Sequence, residues 1–234
     1  MKDKRKFSKI LYFAVLISFI LPVIYLVIKI ILISNGVSSD VRPISDYSLM
    51  LLECLLGIIV IHIPSILEKK FSFEIPYALN IMYLVFLYCA ITLGEVRDFY
   101  YRVPHWDTIL HTLSGVMLGF FGFMVIDILN RDKNTSVNLS PIFVSLFAFC
   151  FAVSIGLVWE IYEYSFDGIL GLNMQKFRLE DGTELIGRAA LSDTMDDIIV
   201  DALGALSASV YGFIHLKVRQ RKNLELQNSS HKEK

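Results

Sequence analysis

The chain has 234 residues, 55% of them hydrophobic, with a mean hydropathy of +0.57. Its 22 Lys and Arg against 23 Asp and Glu leave a formal net charge of −1, and no outward basic surface points to nucleic acid. Such apolarity excludes an ordinary soluble domain and places the chain among polytopic membrane proteins, with membrane lipids as its surroundings.

A span needs about 20 mostly apolar residues to cross about 30 Å of hydrocarbon. Six stretches qualify, at 10–34, 47–67, 76–94, 108–129, 141–163 and 194–216. The predicted fold is therefore all-α: a six-transmembrane-helix bundle forming one membrane domain over 1–234, with a basic tail at 217–234. The first stretch follows Lys2, Lys4, Arg5, Lys6 and Lys9. Its apolar run is too long for a cleaved signal and no Ala-x-Ala-like site follows it, so it reads as a retained helix.

With the amino terminus inside, the cytoplasmic side collects fifteen Lys and Arg and the outer side six. That bias predicts a bacterial cytoplasmic-membrane protein with both termini in the cytoplasm. Fifteen Asp and Glu lie on or near the outer side, and an outer mouth so negative attracts cations.

In chain order, the first stretch carries Lys29 near its outer end, where a long side chain snorkels to the interface. The link 35–46 holds the turn signals Asn35-Gly36 and Pro43. The second stretch places Glu53 about six residues, roughly 9 Å, below the outer surface, where ionisable groups face protein or water. His62 comes half a turn out of phase with Glu53 and just before Pro64. The Lys69-Lys70 turn leads to the third stretch, a packing helix with Asn80 as its main polar residue. The loop from Gly94 to Trp106 is dense in charge and aromatics, as a headgroup-level belt requires; Tyr100, Tyr101, His105 and Trp106 read as belt and loop packing.

A helix beginning near Pro104 puts Asp107 and His111 on one face. Gly115-x-x-x-Gly119, with Gly122 beyond, lets another helix approach closely. Asp127 precedes Arg131 by four residues, a local ion pair. The fifth stretch ends in Gly156, Glu160, Glu163 and Asp167, a 4-3-4 spacing that forms one stripe. In the link 168–192, polar and apolar residues alternate around Asp181-Gly182, predicting a small extracytoplasmic hairpin that would cover the outer mouth. The sixth stretch begins at Ser192 or Asp193, either able to cap it, and Asp193, Asp197, Asp201 and Gly204 share a stripe. No inverted repeat of the transporter kind is found. Cys54, Cys89 and Cys150 are odd in number and each lies in an apolar run, predicting buried free thiols.

Carboxylates and an imidazole projecting from several helices are how a bundle holds one or two metal ions. Asp107, His111, Asp197 and Asp201 are the expected ligands, and Glu160 and Glu163 the expected catalytic carboxylates. Glu53, Asp193, Arg102 and Asp167 are accessory. The oxygen-rich set suits Mg²⁺ or Mn²⁺, while the histidine leaves Zn²⁺ or Fe²⁺ open. Several buried carboxylates raise one another's pKa, so a metal, Arg97 or Arg102 must neutralise them or some must be protonated. A plainer account exists for parts of the set: Asp193, Asp196 and Asp197 at a helix amino terminus stabilise its dipole. Asp201 resists that account, because a carboxylate roughly 12 Å into a span needs a partner. Ser114, one turn from His111, reads as a packing serine rather than a nucleophile. No nucleophile elbow, phosphate loop, His-Glu-x-x-His or Cys-x-x-Cys occurs.

At Trp106-Asp107-x-x-x-His111-x-x-x-Gly115, Trp159-Glu160-x-x-Glu163 and Asp193-Thr-Met-x-Asp197-x-x-x-Asp201-x-x-Gly204 the chain resembles the YjdF-like family of bacterial inner-membrane proteins, whose function is unassigned. It is more distantly similar to VanZ-like envelope proteins, which are associated with glycopeptide resistance, although Glu163 stands where an amide is expected in them. The resemblance implies one shared site and names no substrate.

The expected function is a metal-dependent hydrolase or transferase acting at the outer leaflet on a lipid-linked or cell-envelope substrate. Two alternatives stand beside it: a cation-coupled transporter or channel, and a non-catalytic envelope-protection or assembly protein. The oligomeric state is unassigned by the sequence.

Overall fold

The computed structural model describes residues 2–37, 42–130, 139–179 and 182–232. Among them the helices are α1 (Lys2–Ser34), α2 (Ile44–Val60), α3 (Ile63–Phe71), α4 (Tyr77–Leu87), a π-helical segment (Tyr88–Val96), α5 (Phe99–Arg102), α6 (Trp106–Leu129), α7 (Pro141–Leu170) and α8 (Arg188–Lys232). Six stretches are helical, long and apolar enough to cross a membrane: α1, α2 with α3, α4 with the π segment, α6, α7 and α8. The expected all-α, six-span architecture is the one found.

The ends differ from expectation. Helix α7 runs on to Leu170, where Gly171 at φ 66° donates its N–H to the Asp167 carbonyl (2.9 Å) as a left-handed stop. Helix α8 begins at Arg188, so Ser192 and Asp193 lie inside it instead of capping it, and the basic tail expected after 216 is helical to Lys232. Hydropathy sees only the buried length of a helix. The polar extension is sustained by good helix formers and by pairs such as Arg221 Nε to Glu225 Oε1 at 3.1 Å.

By contacts the chain divides into two compact units, Met1–His111 with Val158–Ile198, and Thr112–Leu157 with Ile199–Lys234. The first is built on α1. Val15, Phe19 and Leu26 form one face and are buried against Met50, Cys54, Leu84 and Ile91. The opposite face of α1 exposes Phe13, Ile17, Leu21, Ile24 and Ile28, each more than half exposed, as a lipid-facing surface requires. Between α2 and α3 the helix breaks at Ile61 and His62. Pro64 has no N–H to give the Val60 carbonyl, and the Tyr83 hydroxyl donates to that oxygen instead (2.6 Å). Asn80 donates to Ser8 Oγ (2.9 Å), which gives the expected packing role a partner.

The π segment shifts the register of the third span by one residue per turn. Its i to i−5 bonding is visible where the Arg97 N–H reaches the Thr92 carbonyl (3.1 Å), and Trp106 Nε1 donates to the Cys89 carbonyl (3.3 Å). Gly94 lies under the Tyr100 ring, where an added Cβ would stand 2.5 Å from Cε2.

In the second unit the small residues of α6 do what their spacing predicts. Gly115 lies against the Asp201 carbonyl of α8, and Gly204 of α8 lies against the Thr112 carbonyl of α6. A Cβ on Gly119 would stand 2.7 Å from that of Ala208, and one on Gly122 2.7 Å from Ala148 Cα of α7. One expectation is corrected. All three cysteines are free, but only Cys54 is buried; Cys89 is half-buried and Cys150 exposed, because an apolar span offers a lipid face as well as a core. The Asp127 partner Arg131 lies outside the described residues.

Candidate functional site

Helix α6 starts at Trp106, just after His105 turns the chain at φ 60°. Asp107 and His111 then stand one turn apart, and α7 and α8 bring Glu160 and Asp197 to the same imidazole. His111 Nε2 lies 3.6 Å from Asp107 Oδ1 and 3.8 Å from Asp197 Oδ2, while Nδ1 lies 3.9 Å from Glu160 Oε1. His111, Glu160 and Asp197 are buried. One ligand atom from each of Asp107, His111 and Asp197 lies within 4.8 Å of the others, a group able to hold a metal ion. All four residues belong to the first unit.

So many carboxylates in a low-dielectric place repel one another and demand a cation. Among the described residues a buried cation near these acids is Lys176, which is outside the expected pair Arg97 and Arg102. Its Nζ donates to Glu95 Oε2 of the π segment (2.9 Å), with both side chains largely buried. The same Nζ lies 4.7 Å from the Tyr100 ring centre and 5.5 Å from that of Tyr101. Burial works against its charged form, but Glu95, Tyr101 and Glu53 outweigh that and hold its pKa above the usual lysine value. Burial also pushes the Tyr100 phenol well up, with Asp107 and Glu53 adding to the effect. Glu53, Glu163 and Asp193 all lie within electrostatic reach of Lys176.

Lys176 is placed by a tied loop. The Asp167 carboxylate accepts from the Met174 and Gln175 N–H groups (2.7 and 3.0 Å), so this expected accessory residue anchors the loop. Asn173 accepts from the Arg178 N–H (2.9 Å) and donates to the Arg178 carbonyl (2.7 Å) and the Tyr101 hydroxyl (3.0 Å). Gln175 Nε2 donates to Thr194 Oγ1 of α8 (2.8 Å). Leu172 and Met174 are buried against Leu49. Beyond Lys176 one antiparallel bridge joins Arg178 to Glu184, the Leu179 N–H donates to the Thr183 carbonyl (2.9 Å), and Gly182 stands at φ 85°. Asp181, the other half of the expected turn, lies outside the described residues.

The remaining expected residues are distributed as follows. Arg102 pairs with Asp98 (3.2 Å), as does Arg42 (2.7 Å), so both arginines serve the turn before α5. Glu163 accepts from Trp159 Nε1 (2.9 Å). Glu53 is half-buried and within electrostatic reach of Glu95 and Asp107. Asp193 is half-buried on α8. Asp201 belongs to the second unit, where Ser114 donates to its Oδ1 and where a Cβ on Gly156 would come 2.7 Å from its Oδ2. Ser114 thus serves a carboxylate, in line with its reading as a packing residue. The signal that would have found Lys176 is weak: one lysine opening an alternating segment, with its acid 81 residues earlier.

An uncharacterized protein of Thermotoga maritima is 30% identical over 142 residues, which are 60% of this chain and 65% of that protein. The match therefore spans just under two thirds of the relative's length. No solved structure matches the chain, and nothing found supports the more distant VanZ-like similarity. The YjdF-like resemblance is consistent with the family match, which runs over residues 6–218. The chain belongs to the family described as "Predicted membrane protein (DUF2238)".

Proposed function

We propose that Asp107, His111 and Asp197 bind one divalent cation, and that the protein uses it at the outer membrane face on a lipid-linked or other cell-envelope substrate. The observation that carries this reading is the convergence of their three ligand atoms within 4.8 Å. Ligands on an ion at about 2.1 Å stand up to about 4.2 Å apart, so closing the group takes a few tenths of an ångström. Two carboxylates and one imidazole suit Mg²⁺, Mn²⁺ or Zn²⁺.

Glu160 faces the other imidazole nitrogen at 3.9 Å. That is where a carboxylate fixes the tautomer of a ligating histidine and orients its ring. Glu163, held by Trp159, is the carboxylate left to take a proton from water. The ion would supply Lewis acidity toward a phosphoryl or carbonyl oxygen. Lys176 limits the negative charge around them. The excess of Lys and Arg at the opposite membrane face supports placing both termini in the cytoplasm and the site outside.

Elemental analysis of the purified protein beside Asp197→Asn tests the proposal. Close to one ion per chain, lost in the variant, is the expected result. No metal in either protein, after purification without chelators and dialysis against each cation, returns the cluster to a hydrogen-bonded structural network.

A further inference from the structure

The membrane end remote from the acidic group carries a second feature. The break between α2 and α3 leaves two adjoining cavities, of about 330 and 540 Å³. Lys9, Phe13 and Leu84 line the first, and Ile59, His62, Ile66 and Lys69 line the second; Ser65 belongs to both. The first mixes Phe13, Ile61 and Leu84 with Ser8, Tyr12 and Asn80, and the second is walled by Ile58, Ile59 and Ile66; Phe13, Ile59 and Ile66 are each more than half exposed. Their rim is cationic. Lys9 lies in the early turns of the first candidate span and Lys69 in the last turn of the second, positions from which a long side chain reaches the headgroup level.

The local acids do not neutralise that rim. Glu74 pairs with Arg5 (3.4 Å), and Glu68 accepts from the Ile75 N–H (2.8 Å). Lys4 and Lys70 lie over the rings of Tyr77 and Phe71, and Tyr12 and His62 are bonded to each other (2.9 Å). Among the described residues Lys9 and Lys69 make no ion pair and Ser65 Oγ no hydrogen bond. Two cations and a hydroxyl donor above apolar grooves complement a phosphodiester with acyl chains.

We propose that these cavities hold one anionic glycerophospholipid. Lys9, Lys69 and Ser65 Oγ meet its phosphate, and its chains follow Phe13 on one side and Ile59 and Ile66 on the other. The lipid thereby fills the notch left where Pro64 interrupts the span.

Native mass spectrometry of the full chain, released from micelles containing either phosphatidylglycerol or phosphatidylcholine of the same acyl chains, tests this. One retained phosphatidylglycerol is expected, and phosphatidylcholine is expected to be lost. Two surface lysines are together worth about thirtyfold in affinity, so the Lys9→Gln/Lys69→Gln variant should lose the adduct by that order. The Arg219→Gln/Lys222→Gln variant, which removes the same charge from α8, should keep it. Ser65→Trp, which puts an indole where the two cavities meet and leaves the lysines in place, should also lose it. Equal retention of the two lipids overturns the proposal, as does an adduct that survives either Ser65→Trp or the double lysine change. Displacement by glycerol phosphate would assign the site to a soluble phosphate ester and overturn it as well.

Discussion

A lysine buried among carboxylates holds its charge only while its acid is present, and Lys176 shows what such a pair does for a site. It closes on Glu95 at 2.9 Å with little solvent to screen either group, so removing one partner strands the other in low dielectric. Lys176→Met should therefore cost about 3–5 kcal/mol, read as a lower melting temperature in detergent. Lys176→Met combined with Glu95→Gln should recover more than half of the loss, because the stranded charge goes too. If the double variant melts no higher than the single one, the pair is not the interaction that matters. The pH dependence has a definite sign. The folded-state pKa of Lys176 is raised, so its contribution is complete below the unfolded value of about 10.4 and is lost only as pH rises through the folded value. From about pH 6 to about pH 10 the gap between wild type and Lys176→Met should stay constant. At this scale the sequence was informative about His111, Asp107 and Asp197, because helical spacing predicts which groups share a stripe. It was silent about Lys176, whose placement depends on a loop tied by Asp167 and Asn173 through backbone bonds that no periodicity encodes.

Elements meet here through glycines, and the geometry separates those that matter from those that do not. A methyl on Gly94 would press into the Tyr100 ring, and one on Gly115 into the Asp201 carbonyl, which as backbone cannot swing aside. Overpacking of this kind costs about 1–3 kcal/mol. Gly168, inside α7 with nothing within 4 Å of an added Cβ, provides the contrast: alanine there should be neutral or stabilise by up to about 1 kcal/mol. Melting curves of Gly94→Ala, Gly115→Ala and Gly168→Ala should therefore order with Gly168→Ala highest. A Gly115→Ala protein as stable as wild type would mean that α6 and α8 are not in the close contact described. The apolar cores of all six spans and the Gly115/Gly119 contact face were legible in the chain, since both follow from composition and 3.6-residue spacing. The π segment was not, because its extra residue per turn leaves no mark in hydropathy. Nor were the polar continuations of α7 and α8, which lie beyond the apolar windows.

At the scale of the whole molecule, the chemistry open to the acidic group depends on which side of the membrane it faces. On the proposed topology fifteen Lys and Arg fall on the side of both termini and six on the other, and translocation resists positive charge in short loops. An outward site meets envelope and lipid-linked substrates, whereas an inward one meets cytoplasmic metabolites, so orientation tests the functional proposal as well as the fold. Ile186, 86% exposed in the loop before α8, and Leu226, 68% exposed in the helical tail, report the two sides. In a chain whose three cysteines are replaced, Ile186→Cys should react with a membrane-impermeant maleimide in intact cells. Leu226→Cys should react only after the membrane is opened. The reverse pattern would put the acidic group in the cytoplasm and remove the envelope substrate while leaving the metal site untouched. Labelling of both in intact cells would require an even number of crossings between them, which one continuous helix from Arg188 to Lys232 supplies only if it fails to span. That outcome would sink the six-span topology itself.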